Sequence, residues 1–592
     1  MVDTVKPLRN ASGYGSLSQS QITLNLDRGT IEPVKGELVD LKNSSFHISN
    51  TKSKPVIGKI KLSAIGSLKS VLEVLDSPKF KYITKSGIKS NIATANIEVD
   101  GWIELPLVKG IKVDQIKYKL LGTMANVKSK KLIKNHILKS DKVSIRFSDE
   151  SLTLFGLGNI DNIPVDFKWR QQLKLNPTKI STLNAKLNID QEFLNVFNIA
   201  LPPNTFSGST SANMKIEMKA KDIPTFLLLS NLEGANLKIG SLSWSKDKAS
   251  RGELKVRGAF AKPLDVNAIE LSVNGLEAKG RVNLSENGEF KSVVFPTFNI
   301  EDWLSTSIIL SKLNNTELIQ ISGGKIDLRE LDLGQELSES SGILDVTLDS
   351  LRISDSLELT NFSANINRND QFTGTFQAKI NGGAPITGDL SKGTYGIKIN
   401  IQGEDAGHVL RSAGVLDNIR GGMLKLELEP AQRNGYYTGG FVIDKLHMLH
   451  SNPIASILDS LSLIGLLNKL ENEGIQFHQA KGWLNITPEG IQLRDVSLIG
   501  LSMGLSLNGW YAKNTKTVDF EGVITPIYAI NGVFERIAGK LFGEQKGEGL
   551  FSFVYTMKGP TDAPKVRVQP LSILTPGAFR KLFRSDIPEP KK

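Results

Sequence analysis

Hydrophobic and polar residues alternate with a period of two along most of this chain. In the segment SANMKIEMKAK, residues 211–221, every second position is apolar, from Ala212 through Ile216 to Ala220, and the positions between them are polar or charged. Successive side chains of a β-strand point to opposite faces of the sheet. The alternation therefore predicts a strand with one apolar and one polar face.

The same alternation recurs in GELKVRGAF (252–260), LEAKGRVNL (276–284), FTGTFQAKI (372–380) and YGIKINIQG (395–403). Short groups of glycine, asparagine and serine, such as SENGE and NGGAP, lie between these segments. Such groups are typical of the tight turns that join antiparallel strands. The sequence therefore predicts antiparallel hairpins and meanders.

The predicted strands continue for hundreds of residues, and this length decides the expected fold class. A closed sandwich or barrel uses about seven to ten strands, whereas one strand per roughly 8–12 residues gives this chain several tens. No Pro-rich or Ser-rich linkers divide the chain into separate small β domains. We therefore expect a mainly β protein, an elongated and curled antiparallel sheet whose apolar face forms a groove, with a few short capping helices.

The groove is expected to be lined by apolar residues of the alternating segments. These positions are Met214, Ile216, Met218, Leu254, Val256, Leu276, Val282, Phe372, Phe376, Ile397, Ile399 and Ile401.

A few segments show helical spacing instead of alternation. Helices are predicted near residues 68–75, 405–413, 453–470 and 531–542. The last is the most regular, because its apolar residues recur at the spacing of one helix face. We expect it to cap the end of the groove, and insertion of its apolar stripe into a membrane interface is the alternative. The residues assigned to this end-cap helix are Val533, Phe534, Ile537 and Leu541.

The chain carries a formal net charge of +11, and part of this excess is concentrated in one region. Between Lys109 and Arg146 there are eleven Lys or Arg residues and only two acids, Asp114 and Asp141. A positive surface suits an anionic partner such as acidic lipid head groups. A lysine-rich outer face that resists edge-to-edge aggregation gives the same pattern, so both interpretations stay open.

Residue types also limit the chemistry. With no cysteine, the chain has no disulfide framework, thiol nucleophile or thiolate metal site. The N-terminal residues contain no apolar run of the signal-peptide kind, and no window of about 18 residues is apolar and uncharged, so no transmembrane helix is expected.

Two short motifs are candidates for a catalytic or metal site, and both are disfavoured. The string GLSMG, residues 500–504, matches the nucleophile motif of hydrolases, but it lies within an alternating segment rather than between a strand and a helix. His447 and His450 would point to opposite faces of a strand, which does not suit a shared metal ion. We expect no enzyme activity, no metal and no cofactor.

The last third of the chain resembles the C-terminal region of the bacterial AsmA-like proteins, in particular the YhdP type. The resemblance runs through DAGHVLRSAGVLDNIRGGMLKLEL (405–428), NPIASILDSLSLIGLL (452–467), LRDVSLIGLSMGLSLNGWY (493–511) and DFEGVITPIYAINGVFERI (519–537). It closes with GLFSFVYTMKGPTDAPKVRVQPLSILTPGAFRKLF, residues 549–583. Within this stretch the sequence predicts a strand that alternates around residues 554–558, a turn at Gly559 and Pro560, a short strand at 566–568 and then a basic, aromatic tail. The resemblance implies a repetitive β-rich groove region over residues 1–395 and an AsmA-like C-terminal region over residues 396–592.

The resemblance also implies a function and a location. Such proteins provide a hydrophobic groove for phospholipid transfer between the inner and outer membranes and support outer-membrane integrity. The expected location is therefore the periplasm and cell envelope, with phospholipids and an inner- or outer-membrane surface as partners. Because the family's N-terminal membrane helix does not occur in this sequence, a membrane-anchored partner or a further N-terminal segment is expected to supply the tether.

The physical reason for a groove is the cost of exposing acyl chains, about 0.8 kcal/mol for each CH₂ group. A continuous apolar strip removes most of that cost without any reacting residue. The alternative, which is a different class of function, is a structural or scaffolding β protein of the periplasm with no lipid cargo. Nucleic acid is not expected as a partner, because aromatic residues are not interleaved with the lysines.

Overall fold

The computed structural model divides the chain into two compact units. It describes residues 7–33, 36–76, 89–111, 115–173, 180–199, 201, 204–220, 222–239, 242, 244–287, 289–313, 316–331, 342–369, 372–433, 435–449, 452–461, 463–526, 553–561 and 563–569. Unit 1 comprises Met1–Ile239 and Trp244–Lys291, and unit 2 comprises Gly240–Ser243 and Ser292–Lys592.

Unit 1 is built almost entirely of strands. They are β1 (Arg9–Ser18), β2 (Gln21–Ile31), β3 (Val39–Ile48), β4 (Ile57–Ser67), β5 (Thr94–Pro106), β6 (Lys117–Ser129), β7 (Leu138–Ser148), β8 (Ser151–Ile160), β9 (Ile163–Gln172), β10 (Ser181–Ile189), β11 (Phe206–Gly208), β12 (Thr210–Met218), β13 (Thr225–Ser230), β14 (Ala235–Ile239), β15 (Trp244–Lys246), β16 (Glu253–Ala259), β17 (Asp265–Val273) and β18 (Leu276–Leu284).

Fifteen of these strands pair with their neighbours in chain order, each pair antiparallel, as the alternation and turns predict. The order is β1 to β10, then β12, β13, β16, β17 and β18. Strands β11, β14 and β15 form a separate small sheet. Its Lys246 ammonium is fully buried and donates to the carbonyl oxygens of Ala235 and Asp247 at 2.8 and 2.7 Å.

Two short helices cover part of the apolar face of unit 1. Helix α1 (Leu68–Leu75), at the position predicted, follows β4, and helix α2 (Gln191–Val196) follows β10. The side chain of Ser67 caps α1 and that of Asp190 caps α2, each by accepting a backbone N–H. Because the strands alternate in direction, both helices lie at the same edge of the sheet, which we call the helix edge.

The buried core of unit 1 lies beneath these helices. Around α1, the buried cluster is Leu68, Ala93, Ala95, Ile97, Met124, Val127, Val143 and Ile145. Around α2, it is Ile163, Leu187, Ile189, Phe193, Leu194, Ala212 and Leu228.

Unit 2 has the same construction. Its strands are β19 (Phe290–Ile300), β20 (Leu304–Leu313), β21 (Thr316–Asp327), β22 (Ile343–Arg352), β23 (Glu358–Asn367), β24 (Thr373–Ile380), β25 (Pro385–Lys392), β26 (Ile397–Gly403), β27 (Ile419–Arg420), β28 (Met423–Pro430), β29 (Tyr437–Met448), β30 (Ile475–Ile486), β31 (Gly490–Gly500), β32 (Met503–Ala512), β33 (Thr517–Pro526), β34 (Phe553–Pro560) and β35 (Lys565–Gln569).

Among the described strands, the expectation of an antiparallel sheet is wrong at one pair. Strands β21 and β22 pair in parallel, with Ile319 opposite Leu344. Residues 328–342 connect them and begin with a 3₁₀ turn, Leu328–Glu330. A parallel pair needs a connection that returns the chain to the starting end of the first strand. That connection is much longer than the two- to five-residue loops of ordinary hairpins. Its length is therefore the feature of the sequence that indicates parallel instead of antiparallel pairing.

Three helices lie at one edge of the unit 2 sheet. They are α3 (Ala406–Ser412), α4 (Asn452–Ser460) and α5 (Ile464–Asn472). The segment predicted as one helix near 453–470 is therefore two, because the Leu463 N–H bonds to the Leu458 carbonyl and ends α4. Helix α4 packs against α5 and β35, and these helices bury Ile457, Leu458, Leu466 and Leu470.

The closing strands of the chain are confirmed. The predicted alternation around residues 554–558 corresponds to β34, and the predicted strand at 566–568 corresponds to β35. The predicted end-cap helix at 531–542 and the basic tail lie outside the described residues. The division predicted between residues 395 and 396 stays a prediction.

Candidate functional site

The most extensive feature of unit 2 is a row of apolar side chains that crosses its sheet. Starting at Leu310 on β20, each residue lies directly opposite the next one on the neighbouring strand, as far as Val566 on β35. Residues directly opposite each other share a face of the sheet. The row, here the unit 2 row, is Leu310, Ile319, Leu344, Ile366, Gly374, Leu390, Ile399, Leu428, Gly439, Leu484, Leu493, Gly509, Phe520, Met557 and Val566.

The burial of this row is uniform. Each of its twelve side chains other than glycine is half-buried, neither enclosed nor fully exposed. Toward the helix side of the same strands the side chains become buried, as at Ile386, Leu424 and Ile443. The helices therefore close one side of the apolar face and leave the row only partly covered.

Glycine positions let neighbouring strands and side chains come close along the row. A Cβ at Gly439 would lie 1.9 Å from the backbone oxygen of Glu427. At Gly509 the backbone has φ +145°, and a Cβ would lie 2.1 Å from the oxygen of Asp519. Both positions therefore need glycine, and the row keeps an apolar surface there through its neighbours, such as Phe520 beside Gly509.

Unit 1 has a corresponding row across eleven strands, from β3 to β16. The unit 1 row is Leu41, Ala64, Val99, Gly122, Ile145, Leu154, Trp169, Leu183, Ile216, Phe226 and Gly258. Leu41 and Ile145 are buried, and from Leu154 to Phe226 the side chains are half-buried.

In both units the face opposite the row carries charged side chains. On β12, Lys215 lies 2.7 Å from Glu217, and its hydrogen bond holds the pKa of that carboxyl below the usual range. In unit 2, the hydrogen bond from Lys398 to Glu427 raises the pKa of the lysine. Both pairs therefore stay ionised at neutral pH, so these faces carry charge where the row faces carry apolar side chains.

The residues predicted to line a groove fall on the apolar faces of the two units. In unit 1, seven of them occupy the apolar face of β12, β16 and β18, and only Leu276 is fully buried. In unit 2, Ile397, Ile399 and Ile401 are half-buried, whereas Phe372 and Phe376 are buried. Their role in lining a groove stays a prediction. The end-cap residues Val533, Phe534, Ile537 and Leu541 lie outside the described residues.

Several members of the rows were missed from the sequence. Leu344, Leu390 and Leu428 are central in the unit 2 row but were not predicted to line a groove. The alternation in ITGDL or in LKLEL could have placed Leu390 and Leu428 on an apolar face. Alternation alone gives the face of a residue and not its lateral neighbour, because register depends on the turns between strands.

The motifs considered for catalysis do not form a catalytic arrangement. GLSMG is the turn between β31 and β32 rather than the interior of one strand, and Ser502 Oγ accepts a hydrogen bond from Lys469 at 3.2 Å. The His447 ring lies 2.8 Å from the Glu473 carbonyl oxygen, and His450 lies outside the described residues. Among the described residues, no group of three or more His, Cys, Asp or Glu side chains could hold a metal ion.

No helix in the described part of the chain combines the length and apolar character needed to cross a bilayer. No protein-family model matches the chain, and comparison with curated proteins and with solved structures gives no significant match.

Proposed function

We propose that the chain is an AsmA-like protein of the cell envelope that carries phospholipid along its apolar rows, with the acyl chains against the sheet and the head groups toward water. The observation that carries this proposal is the uniform half-burial of the unit 2 row across fifteen strands. In a filled sandwich core the central positions of such a row would be fully buried, because protein interiors are close-packed.

The length of the row favours transport over a single binding pocket. Strands lie about 4.8 Å apart, so fifteen of them carry the row over roughly 65 Å measured along the sheet. An acyl chain spans about 15 Å, half of the roughly 30 Å hydrocarbon core of a bilayer. Several lipids therefore fit end to end, and a lipid can shift by one strand while its contacts change little.

The energetic role of the row is to keep acyl chains away from water. Two chains of about sixteen carbons would cost on the order of 25 kcal/mol if fully exposed, at about 0.8 kcal/mol per CH₂. Leucine, isoleucine and phenylalanine side chains replace water along the whole path. No cofactor or reacting group is needed, so the proposed role is non-enzymatic.

Site-specific photocrosslinking tests the proposal on the full chain. A benzophenone amino acid is placed at Ile399 in the row, and a matched one at Gln402, which is exposed on the other face of β26. After expression in bacteria and gentle extraction, phospholipid should be crosslinked at position 399 and not at 402, as measured by mass spectrometry.

The scaffolding alternative makes the opposite prediction. A structural β protein without cargo should purify free of phospholipid and give no lipid adduct at either position. Equal adducts at both positions would indicate nonspecific contact with membranes. Either result would count against the proposed lipid path.

A further inference from the structure

The helix edge of unit 1 has exposed apolar side chains close to a group of lysines. Leu132, in the loop 130–137 between β6 and β7, is 54% exposed, and Ile199 and Leu201, after α2, are 43% and 45% exposed. Five lysines in or beside the loop are also exposed. We call this set the edge patch: Leu132, Ile199, Leu201, Lys128, Lys130, Lys131, Lys134 and Lys139.

The loop is held in place by hydrogen bonds on its inner side. Ser129 Oγ accepts the backbone N–H groups of Lys131 and Leu132 at 3.1 and 3.2 Å, and donates to the Ile92 carbonyl at 2.7 Å. Lys131 Nζ donates to the Asn91 carbonyl at 3.0 Å. The exposure of Leu132 is therefore a property of a structured loop.

The two parts of the edge patch are joined through His136. Its Nδ1 lies 2.7 Å from Asp161 Oδ2, and its ring centroid lies 5.1 Å from that of Phe197. Phe197 packs in turn on Phe193, a buried residue of α2, with ring centroids 4.8 Å apart. These ring contacts bring the loop 130–137 beside the start of the segment that carries Ile199 and Leu201.

The edge patch keeps an excess of positive charge, although Lys139 interacts electrostatically with the Asp161 carboxylate. Asp161 accepts hydrogen bonds from the His136 ring and the Ile137 N–H. Asp141 is the only acid in the sequence between Asp114 and Asp149. Within the described ranges, none of the five lysines forms an ion pair with a carboxylate.

We propose that the edge patch docks unit 1 onto an anionic phospholipid surface. The lysines contact the head groups, and Leu132, Ile199 and Leu201 enter the interface between head groups and acyl chains. Exposed apolar side chains among lysines are the combination that such an interface binds. Single-stranded nucleic acid would instead use exposed aromatic rings, and the nearest ring, Phe197, packs on Phe193.

The inference does not depend on lipid transport, because the edge patch and the rows are separate sets of residues. The first test is flotation of the full chain with phosphatidylcholine vesicles, with and without phosphatidylglycerol. Leu132→Ser should weaken binding to the anionic vesicles about 5-fold, given the apolar surface that it removes. The matched control is Leu157→Ser, because Leu157 is 71% exposed but lies on the charged face of the sheet.

The second test concerns charge. The double variant Lys130→Gln with Lys134→Gln should weaken binding about 5-fold for each lysine removed, and high salt should weaken wild-type binding. The matched control is Lys168→Gln with Lys186→Gln, two exposed lysines on β9 and β10. All four positions are exposed, so the thermal midpoint should not change.

Three results would overturn the inference. Equal binding to neutral vesicles would exclude recognition of anionic head groups. Equal losses for patch variants and their controls would mean nonspecific adsorption. Binding of random DNA that is lost with the patch lysines and exceeds vesicle binding would assign the surface to nucleic acid. The phospholipid content of the purified variants should match wild type, which separates this test from that of the lipid path.

Discussion

A charge placed in the unit 2 row separates an open apolar path from a closed core. Ile399 lies between Leu390 and Leu428 in the row and is half-buried. Full burial of an isoleucine is worth about 1.5–3 kcal/mol, so Ile399→Glu should cost roughly 1 kcal/mol of apolar contact. Its carboxylate can still reach water along the uncovered side of the row.

A closed core would give a much larger loss. An unpaired carboxylate enclosed in a packed interior costs several kcal/mol, a large part of a typical total stability of about 5–15 kcal/mol. Leu458→Glu provides this reference, because Leu458 has no exposed surface. Gln402→Glu provides the opposite reference on the exposed face of the same strand as Ile399.

The assay combines yield, thermal midpoint and lipid transfer between donor and acceptor vesicles. Ile399→Glu should accumulate nearly as wild type, melt a few degrees lower and lose transfer, because a fixed charge interrupts the apolar path. Leu458→Glu should fail to accumulate, and Gln402→Glu should behave as wild type. If Ile399→Glu disappears like Leu458→Glu, the row is a closed core. If it is stable and fully active, lipid does not pass over this position.

Three further outcomes follow from the geometry. Ile216→Glu, in the unit 1 row, should also give a folded protein with impaired transfer, measured by the same vesicle assay. Gly509→Ala should lower the thermal midpoint, at a cost of about 1–3 kcal/mol, because φ is +145° and a Cβ would meet the Asp519 oxygen; Gly465→Ala, with open space around it, is the control. Burial lowers the pKa of Lys246, so the folded state binds fewer protons there than the unfolded state. Stability should therefore rise as pH approaches the ordinary lysine range, and Lys246→Met should remove this slope in melts at rising pH.

Local rules account for most of what the sequence predicted correctly. The alternation around Ile216 and Ile399 gives strands because a period of two leaves one face apolar. The capped, amphipathic segment beginning at Leu68 gives a helix because Ser67 satisfies a free N–H at its start. The strand at 566–568 follows from the alternation of Val566 and Val568, but the turn expected at Gly559 and Pro560 lies after them, because both residues still belong to β34. Each of these predictions uses only residues that are near one another in sequence.

Features that depend on contacts between residues far apart in sequence could not be predicted from local patterns. The parallel pairing of β21 with β22 depends on where a connection of fifteen residues returns the chain, which alternation does not specify. The break between α4 and α5 depends on one backbone bond from Leu463 to Leu458. The rows themselves depend on register across many turns and bulges, so their individual residues could be assigned to a face but not to a row.

Combining Ile216→Glu with Ile399→Glu tests whether the two rows act independently in lipid transfer. A single conduit predicts that Ile216→Glu and Ile399→Glu each reduce transfer to the same low level. The double variant should then be no worse, because a path blocked at one place gains nothing from a second block. If the two rows are independent sites, each single variant should keep the transfer activity of the unchanged row. Only the double variant should then lose transfer. Initial transfer rates are measured at equal protein concentration. Partial losses that add in the double variant would refute the single conduit, but they would still agree with lipid binding by each row.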